Sequence, residues 1–463
     1  MMGKDFCAEK EKSYLLLLDA NNLYGGSLSS PLPVGGFQWV NSVSNLCLED
    51  DVDMWTNLIL QMEDDGDKGY FFQVDLEYPQ TLHDQHDDYP LCPVKMQIEN
   101  HRLSEYQQSL SEQLNINLGG GEKLCLTLED KESYICHFTS LKLYLSLGMK
   151  LKKIHKILQF RQQAWAKSYI ELNTTLRRNA SSPFEESMSK FFNNNLFGKT
   201  IENTYDYSHV IVTNSPEKAQ KYLNRLNLKD FEIITNKLVM MSFNKKTVLL
   251  NKPRAIGSSV LEKSKTSMYS FHYNFMKKIF PNIRLMFTDT DSLLYFIQSN
   301  ENIYKVLKKH GEHFDFSNYN VKDENYSNDN RLIPLKFKDE LGGRILDEFV
   351  GLRSKLYSLK TVDGVEKKTS KGTLKNITQT ELVHEDYKES LFGETTYYNA
   401  GVKIMHENNM MYSVNLRKQS LNPINDKKFV TKNLDGSFQT LSFGHFLLGL
   451  SNDQSHSVLK IKD

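Results

Sequence analysis

The sequence has few cysteines, no long hydrophobic run and no net charge, and each of these absences excludes a class of protein. Only five of its 463 residues are cysteines, with no Cys-x-x-Cys pair. This excludes a disulfide framework and predicts reduced thiols in an intracellular protein. No apolar run approaches the roughly 18 residues of a membrane helix, and the charged N-terminus lacks a signal-peptide core. We therefore expect a protein that is neither secreted nor in a membrane.

Acidic and basic residues balance overall but are unevenly distributed. There are 57 of each, so net charge gives no argument for binding of a polyanion. Residues 48–88 carry 13 acidic side chains and one basic, whereas residues 141–200 carry 11 basic and 3 acidic. Residues 236–285 carry 10 basic and one acidic. Two basic blocks could line a cationic trough or could be ordinary solvated lysines, and charge alone leaves both interpretations open.

Length and composition indicate a large globular chain with some clear secondary-structure signals. With 39% hydrophobic residues, the chain is long enough for about three domains or one multi-lobed enzyme. The apolar run Tyr14–Leu18 predicts a buried strand that ends at Asp19. Ser182-Pro183-Phe184-Glu185 is typical of a capping box and starts a helix to about Phe197. Further predictions are helices at 139–147, 164–178 and 260–279, a strand at 70–76 and a polar loop at 317–331.

Three aspartates lie where predicted strands end. Asp19 ends the first strand, and Asp289 and Asp291 lie in the turn Thr288–Ser292 between the short apolar runs 284–287 and 293–297. Hard cations prefer oxygen ligands, and two ions about 3.5–4 Å apart serve phosphoryl and nucleotidyl transfer. Taken alone, the Asp-x-Asp pattern favours an ordinary Asx turn over a metal site.

The capped helix carries a second polar pattern. Lys190, Asn194 and Phe197 share one face, and Gly198 follows. A lysine beside a flat surface is suited to a triphosphate and a stacked base. The alternative is a core helix with a lysine that extends to solvent, but this does not explain the three consecutive asparagines Asn193–Asn195.

Together these segments resemble the motifs of family B DNA polymerases. Asp19-Ala-Asn-Asn-Leu-Tyr24 resembles motif A, Lys190-Phe-Phe-Asn-Asn-Asn-Leu-Phe-Gly198 motif B, and Thr288-Asp-Thr-Asp-Ser292 motif C. Lys355-Leu-Tyr357 is similar to the Lys-x-Tyr element that follows motif C. Gly25 after motif A, with segments near 74–94, 141–147, 197–203 and 351–359, resembles the protein-primed branch. Within that branch the chain is similar to polymerases of Maverick/Polinton-type elements and related viruses.

The resemblance implies an α+β right-hand polymerase with an antiparallel palm sheet and an insertion between motifs A and B. The implied domains are the first part of the palm at 1–24, the insertion of the protein-primed type at 25–150, fingers at 151–204, palm with motif C and a second small insertion at 205–350, and thumb at 351–463.

The resemblance also implies roles for individual residues. The catalytic acids would be Asp19, Asp289 and Asp291, with Asp19, Asp291 and the carbonyl of Ala20 as ligands of two Mg²⁺ ions, for which Mn²⁺ could substitute. The nucleotide would be bound by Asn22, Leu23, Tyr24, Arg178, Lys190, Asn194, Phe197 and Gly198. Tyr24 would be the steric gate against a ribose 2′-hydroxyl, and Lys355 and Tyr357 would bind the primer strand.

The implied activity is template-directed DNA synthesis, by in-line attack of a 3′-hydroxyl on the α-phosphate of a dNTP, for replication of a virus or mobile element. Partners would be primer–template DNA, dNTPs and a terminal protein whose hydroxyl starts synthesis. We expect a monomer without membrane association, in either the nucleus or the cytoplasm of a host. Two alternatives are a DNA-binding polymerase remnant without activity and a two-metal nuclease or integrase.

Some features depart from the family pattern. Only 18 residues precede Asp19, so we expect a polymerase lobe without the exonuclease domain. Asp75-Leu-Glu77 imitates an exonuclease signature, but we interpret it as a surface strand of the insertion. Gly25-Gly26-Ser27 is less bulky than the usual run, which predicts a less rigid gate. Asn195 and Phe197 lack the hydroxyls usual in motif B.

Overall fold

A computed structural model describes residues 12–118, 120–407 and 410–449. Within these ranges the strands are β1 (Lys12–Ala20), β2 (Leu32–Val40), β3 (Ser42–Val43), β4 (Leu46–Cys47), β5 (Lys68–Glu77), β6 (Val94–Gln97), β7 (Glu122–Cys125), β8 (Lys131–His137), β9 (Lys150–Gln163), β10 (Ser208–Thr213), β11 (Leu228–Thr235), β12 (Leu238–Asn244), β13 (Ile283–Asp289), β14 (Ser292–Ser299), β15 (Phe337–Asp339), β16 (Leu346–Arg353), β17 (Leu356–Thr361), β18 (Glu366–Ser370), β19 (Tyr397–Glu407), β20 (Met410–Leu421), β21 (Phe429–Lys432) and β22 (Phe438–Leu441). The α-helices are α1 (Leu23–Leu28), α2 (Val52–Gln61), α3 (His83–His86), α4 (Glu105–Gln113), α5 (Phe138–Ser146), α6 (Lys167–Arg178), α7 (Pro183–Thr200), α8 (Pro216–Leu223), α9 (Arg254–Ser270), α10 (Lys277–Ile279), α11 (Ile303–Lys309), α12 (Lys375–Thr380) and α13 (His384–Phe392).

The largest sheet is antiparallel and has β1 near its centre. Its order is β13-β14-β1-β16-β17-β18, and the short β15 also pairs with β1. The apolar run of β1 is buried on both faces of the sheet, since Leu16, Leu17 and Leu18 are each at most 4% exposed. This confirms the strand predicted at Tyr14–Leu18 and the hairpin predicted around residues 288–292.

A second antiparallel sheet, β2-β9-β5-β8, packs with the first through a shared core. Helices α2, α5 and α9 contribute to this core, which includes the buried rings of Trp55, Phe72 and Phe138. The strand predicted at 70–76 lies within β5. Glycine at position 69 is required by close approach, because a Cβ there would lie 2.3 Å from the ring of Phe160.

Smaller units surround the two sheets. Strands β10, β12 and β11 form a three-stranded sheet, and β19 and β20 form a long hairpin. The chain after this hairpin returns to the region around α3, where the N–H of Ser442 donates to Asp87 and Phe443 packs with Ile98 and Leu103. The C-terminal strands are thereby anchored on residues 83–130.

Several predicted helices have different ends in the structure. The helix predicted at 164–178 begins at Lys167, and the one predicted at 260–279 begins at Arg254 and passes through a π-helical turn, Phe271–Met276. Helix α7 continues three residues beyond Phe197 to Thr200. Its buried end packs against α9, which no local sequence signal could indicate. Residues 317–331 contain no helix or strand, as predicted.

Two further expectations concern the whole chain. Cys47, Cys92, Cys125 and Cys136 form no disulfide, and Cys7 lies outside the described residues. No helix within the described ranges is long and apolar enough to cross a bilayer.

Because two histidines are buried, we expect the free energy of unfolding to decrease in mild acid. Burial lowers the pKa of His86 and of His272 from 6.5 to about 4, although Asp88 opposes the change. Both side chains are neutral in the folded protein at pH 6, whereas in the unfolded chain they already bind protons. The free energy of unfolding should therefore decrease as the pH falls from about 6.5 towards 4, by on the order of 3 kcal/mol per histidine.

Urea denaturation at pH 7 and pH 5 measures this effect. Nδ1 of His272 lies 3.1 Å from the hydroxyl of Tyr295, and the amide of asparagine can replace that contact without titrating. His272→Asn should therefore lose less stability between the two pH values than the wild type. An equal loss in both proteins would show that His272 contributes nothing to the pH dependence.

Candidate active site

Pairing of β1 with β14 brings the three predicted acids to one end of the large sheet. Asp19 lies directly opposite Ser292, whose hydroxyl donates to the Asp19 carboxylate at 3.0 Å. The N–H of Ala20 donates to the carbonyl of Asp291 at 2.8 Å. The turn of the β13–β14 hairpin places Thr290 in the left-handed region, with a φ of 63°. Asp19 and Asp291 are therefore neighbours, as shared metal ligands must be.

Two lysines bind two of the three carboxylates. Nζ of Lys338, on β15 opposite Asp19, lies 3.1 Å from Oδ2 of Asp19. Nζ of Lys355 donates to both oxygens of Asp289, at 2.7 and 2.8 Å. In the part of the chain that the structure describes, no lysine, arginine or histidine forms such an ion pair with Asp291. The carboxylate of Asp291 is thus the one of the three that is left for another cation.

The electrostatics of Asp291 match this arrangement. The pKa of Asp291 is raised from 3.8 to about 6, mainly by burial and further by the carboxylates of Asp19 and Asp289, while Lys190 opposes the rise. A half-buried carboxylate repelled by its neighbours is stabilised by binding a cation.

The donor set is suitable for a hard divalent ion. Asp19 and Asp291 supply carboxylate oxygens, and Ala20 directs its carbonyl to the same side as the N–H that contacts Asp291. No group of three or more His, Cys, Asp and Glu side chains with the arrangement of a metal site occurs among the described residues. The carboxylate of Asp289 is instead directed at Lys355, so two acids and a carbonyl are the candidate ligands.

The chain turns sharply after Ala20 and packs tightly there. Asn22 is left-handed, with φ 42° and ψ 54°, and the buried Leu23 begins α1. A Cβ at Gly25 would lie 2.1 Å from the Asn22 side chain, and one at Gly26 would lie 2.3 Å from Leu335. The space that side chains would take at these two glycines is therefore already filled, and the less rigid gate stays a prediction.

The ring of Tyr24 is held by the ring of Phe197. The two rings are stacked with centroids 4.4 Å apart and planes at 19°. Burial raises the pKa of Tyr24, and the charge of Asp291 raises it further. The predicted gate and the predicted base-pocket residue thus form one aromatic pair beside Asp291.

Helix α7 begins largely as its sequence predicts. The side chain of Ser182 accepts from the N–H of Glu185, and the carboxylate of Glu185 accepts from Ser181 instead of completing the box with Ser182. Asn194 and Gly198 are exposed, with nothing within 4 Å of a Cβ built at Gly198. The helix therefore presents an open surface after Lys190.

The three asparagines of α7 differ in their surroundings. Asn193 is 2% exposed and its Oδ1 accepts from Nδ2 of Asn173 on α6 at 3.0 Å. Asn193→Ala should cost about 1–3 kcal/mol of stability, because the Asn173 amide would be left buried without this partner. Asn194→Ala, at an exposed position, should change stability by less than about 0.5 kcal/mol. Urea denaturation of both variants is the measurement, and equal stability losses would contradict the pairing.

Two residues that were predicted to bind phosphate or primer, Arg178 and Tyr357, contact other parts of the protein. Nε of Arg178 donates to the carbonyl of Arg331 at 2.7 Å, which directs the side chain to the polar loop. The ring of Tyr357 packs on Phe287 with centroids 4.5 Å apart. Their predicted roles in binding phosphate and primer stay predictions.

Lys338 is a site residue that sequence reasoning missed. It faces Asp19 only because β15 pairs with β1, and no motif spacing indicates that pairing. Its ammonium also lies 3.5 Å from Glu340. The alternation of Lys338 and Glu340 is a weak signal that could have marked a strand face with charges.

Both carboxylates of Asp75-Leu-Glu77 form contacts with residues of the adjacent strands in the second sheet. The Asp75 carboxylate lies 2.7 Å from Nε2 of His155 and accepts from the N–H of Ser133. Glu77 lies 3.1 Å from Nζ of Lys150. These contacts are those of a partly exposed sheet face, as the sequence interpretation expected.

Comparison with known proteins identifies the family. A family model described as DNA polymerase type B, organellar and viral, matches residues 4–275. No curated protein matches the chain. The fold is similar to that of phi29 DNA polymerase complexed with primer-template DNA and incoming nucleotides, at 13% identity and a TM-score of 0.51 over 90% of this chain and 59% of that chain.

An orthorhombic crystal form of phi29 DNA polymerase gives the same identity and TM-score, with 89% of this chain and 59% of that chain covered. The chain thus spans 59% of the length of these structures, and at this identity the likeness shows the fold alone. That fold is the right-hand polymerase fold. The match over residues 4–275 covers more than half of the sequence. The chain therefore belongs to the organellar and viral family of type B DNA polymerases.

Proposed function

We propose that this chain carries out template-directed DNA synthesis, as the polymerase portion of a protein-primed enzyme of a virus or a Maverick/Polinton-type element. The observation that carries the proposal is that Asp19 and Asp291 are neighbours at one end of the sheet, with the stacked Tyr24–Phe197 pair following Asp19 in the chain. A nuclease that used the same acids would have no role for Lys190 or for the stacked rings.

Each group at the site has a role in this reaction. Two Mg²⁺ ions held by Asp19, Asp291 and the Ala20 carbonyl would supply activation of the attacking hydroxyl and stabilisation of the leaving phosphate. Lys190 binds the triphosphate as a point charge, and backbone amides of Asn22–Tyr24 orient it. Catalysis then consists mainly of positioning and charge stabilisation.

The lysines Lys338 and Lys355 act on the acids and not on the nucleotide. Each neutralises one carboxylate, so that three acids can lie together without unfolding the hairpin by repulsion. Lys355 is directed at Asp289 by a left-handed backbone, with a φ of 60°. We infer that Lys355 supports the metal site in addition to its predicted contact with the primer strand.

The remaining parts of the chain supply surfaces for DNA in this proposal. The large antiparallel sheet is the palm, α6 and α7 are the fingers, residues 25–150 are the insertion, and the part of residues 205–252 in β10–β12 is the second insertion. Strands β16–β18 belong to the large sheet and therefore to the palm, so the thumb predicted from residue 351 would begin only after Ser370, with the β19–β20 hairpin as its extended part. Primer–template DNA, dNTPs and a terminal protein are the proposed partners of a monomeric, intracellular enzyme.

Primer extension on four templates tests the proposal. The templates differ only in the base after the primer, and each is offered the four dNTPs singly with Mg²⁺. We expect extension only with the complementary nucleotide on each template. Extension that ignores the template base would contradict templated synthesis.

Two other results would favour the alternatives. Shortening of the end-labelled primer without extension would indicate a nuclease. Binding of DNA in a gel-shift assay, with neither extension nor shortening, would indicate a remnant that has lost its activity. Omission of Mg²⁺ shows whether the chemistry depends on a divalent ion, and Asp291→Asn purified in the same way is the control for contaminating enzymes.

A further inference from the structure

Asn21 connects the predicted metal ligands to the predicted phosphate contacts, and a distant segment binds it at three points. Its N–H donates to the carbonyl of Lys336 at 2.8 Å, and its carbonyl accepts from the N–H of Leu335 at 2.8 Å. Its side-chain amide donates to Oδ2 of Asp315 at 2.7 Å. Asn21 is 4% and Asp315 2% exposed. Water therefore does not compete for the bond between the two side chains.

The carboxylate of Asp315 accepts N–H groups from three places. Besides Asn21, the N–H of Leu332 donates to Oδ2 at 2.8 Å and the N–H of Ser317 donates to Oδ1 at 3.0 Å. Across the described ranges, Asp315 forms no ion pair with a lysine, arginine or histidine. A buried carboxylate is costly unless its oxygens are bonded. The three N–H groups that donate to the Asp315 carboxylate offset the cost of burying it.

The position of Asn21 decides where the chain turns from β1 into α1. Asn22, the next residue, takes the left-handed conformation that redirects the backbone. Leu335, which binds the Asn21 carbonyl, also fills the space beside Gly26 on α1. The segment that holds Asn21 thus also packs against the first helix. A shift of Asn21 would move the Ala20 carbonyl on one side and the amides of Asn22–Tyr24 on the other.

We propose that Asp315 is a positioning residue for the incoming nucleotide, acting through Asn21. It contacts neither a predicted metal ligand nor the nucleotide, and it fixes the turn that aligns both. This inference rests on the proposed function and deepens it, since it adds a residue outside the four motifs to the nucleotide site. Its consequence is that the polar loop 317–331 and the site are structurally coupled.

The test is a set of four variants measured by nucleotide binding and by incorporation. They are Asp315→Asn, Asn21→Ala, the double variant, and Asp323→Asn as the matched control. Asp323 lies in the polar loop that follows Asp315, but its carboxylate accepts the N–H of Asn325 at 2.8 Å within its own turn. The Kd of a dNTP is measured on a primer–template with a dideoxy 3′ end, which requires no catalysis. KM and kcat are measured on an extendable primer well below the melting temperature.

We expect both single variants to raise the Kd and KM for the dNTP by about tenfold or more, as loss of a buried bond to a charged group implies. The double variant should be little worse than Asp315→Asn alone, because the charged bond that Asn21→Ala removes is already lost in Asp315→Asn. Asp323→Asn should keep the wild-type values, and all four should bind primer–template DNA equally.

A lower melting temperature with wild-type Kd, KM and kcat in both single variants would overturn the proposal, since it would show a purely structural role. Additive effects in the double variant would also overturn it. If Asp315→Asn does not fold, Asn21→Ala decides, because it removes only the amide that reaches Asp315. A wild type that binds dNTPs but does not extend primers would refute the proposed function, while the binding constants still test Asp315.

Discussion

Replacement of Asp291 by asparagine should abolish nucleotide incorporation and at the same time stabilise the protein. Asparagine has the same shape, but it cannot supply the charged oxygen that a divalent ion requires. Loss of several kcal/mol of transition-state stabilisation corresponds to a rate decrease of about 10³-fold or more. Single-turnover incorporation with saturating dNTP and Mg²⁺ is the measurement.

The gain in stability has a separate physical cause. A carboxyl whose pKa is raised by folding, here from 3.8 to about 6, destabilises the folded state wherever it is ionised in both states, which includes pH 7. Removal of that charge should raise the free energy of unfolding by about 1–2 kcal/mol in metal-free buffer, after allowance for screening by solvent. Asp289→Asn differs in this respect, because Asp289 has Lys355 as its partner and should not be stabilised by the change.

Asp75→Asn is the matched control for activity. Asp75 is also an acid with an i+2 acidic neighbour, but it lies on β5 in contact with His155. It should leave incorporation unchanged. A loss of synthesis in Asp75→Asn as large as that in Asp291→Asn would contradict the placement of the catalytic centre at the end of the large sheet.

Tyr24→Ala should reduce discrimination against ribonucleotides by about 100-fold, while DNA synthesis from dNTPs continues. The ring of Tyr24 is fixed on Phe197, so it cannot swing away from a 2′-hydroxyl without breaking the stack. Alanine leaves open space at that position. The measurement is the ratio of kcat/KM for dCTP to that for CTP on one template, where each tenfold change corresponds to 1.4 kcal/mol.

Two further variants test separately the hydroxyl of Tyr24 and the ring of Phe197 that stacks on it. Tyr24→Phe keeps the ring and should retain discrimination. Phe197→Ala removes the stacking partner and should give an intermediate loss. If Tyr24→Phe lost discrimination as fully as Tyr24→Ala, hydrogen bonding and not bulk would be the basis of selection.

Features set by local sequence were predicted well. The apolar run before Asp19, the hairpin around residues 288–292 and the cap at Ser182 each depend on neighbours within a few residues, and the structure confirms all three elements. The family was also predictable from local sequence, because each motif spans only a few residues and the motifs follow one another in the family's order. Helix ends were less predictable, because α7 and α9 end where they pack on each other.

Contacts between distant segments were not predictable. The pairs Lys338–Asp19, Lys355–Asp289 and Asp315–Asn21 depend on how β1 pairs with β15 and how the chain after Lys309 folds back. No periodicity or spacing specifies those pairings in a single sequence. Lys355 was singled out as a contact to DNA, and the structure adds that it binds a motif acid.

The left-handed residues at this site have a consequence for the evolution of the protein. Thr290 is β-branched, and its φ of 63° is a conformation that such residues avoid at a cost of about 1–2 kcal/mol. Glycine would relieve that cost and lose only roughly 0.5–1 kcal/mol through its greater freedom when unfolded. A laboratory selection for heat resistance alone would therefore favour glycine between the two aspartates. The selected variants would be more stable, but their β13–β14 hairpin would be more flexible. We therefore expect them to incorporate nucleotides more slowly than the wild type.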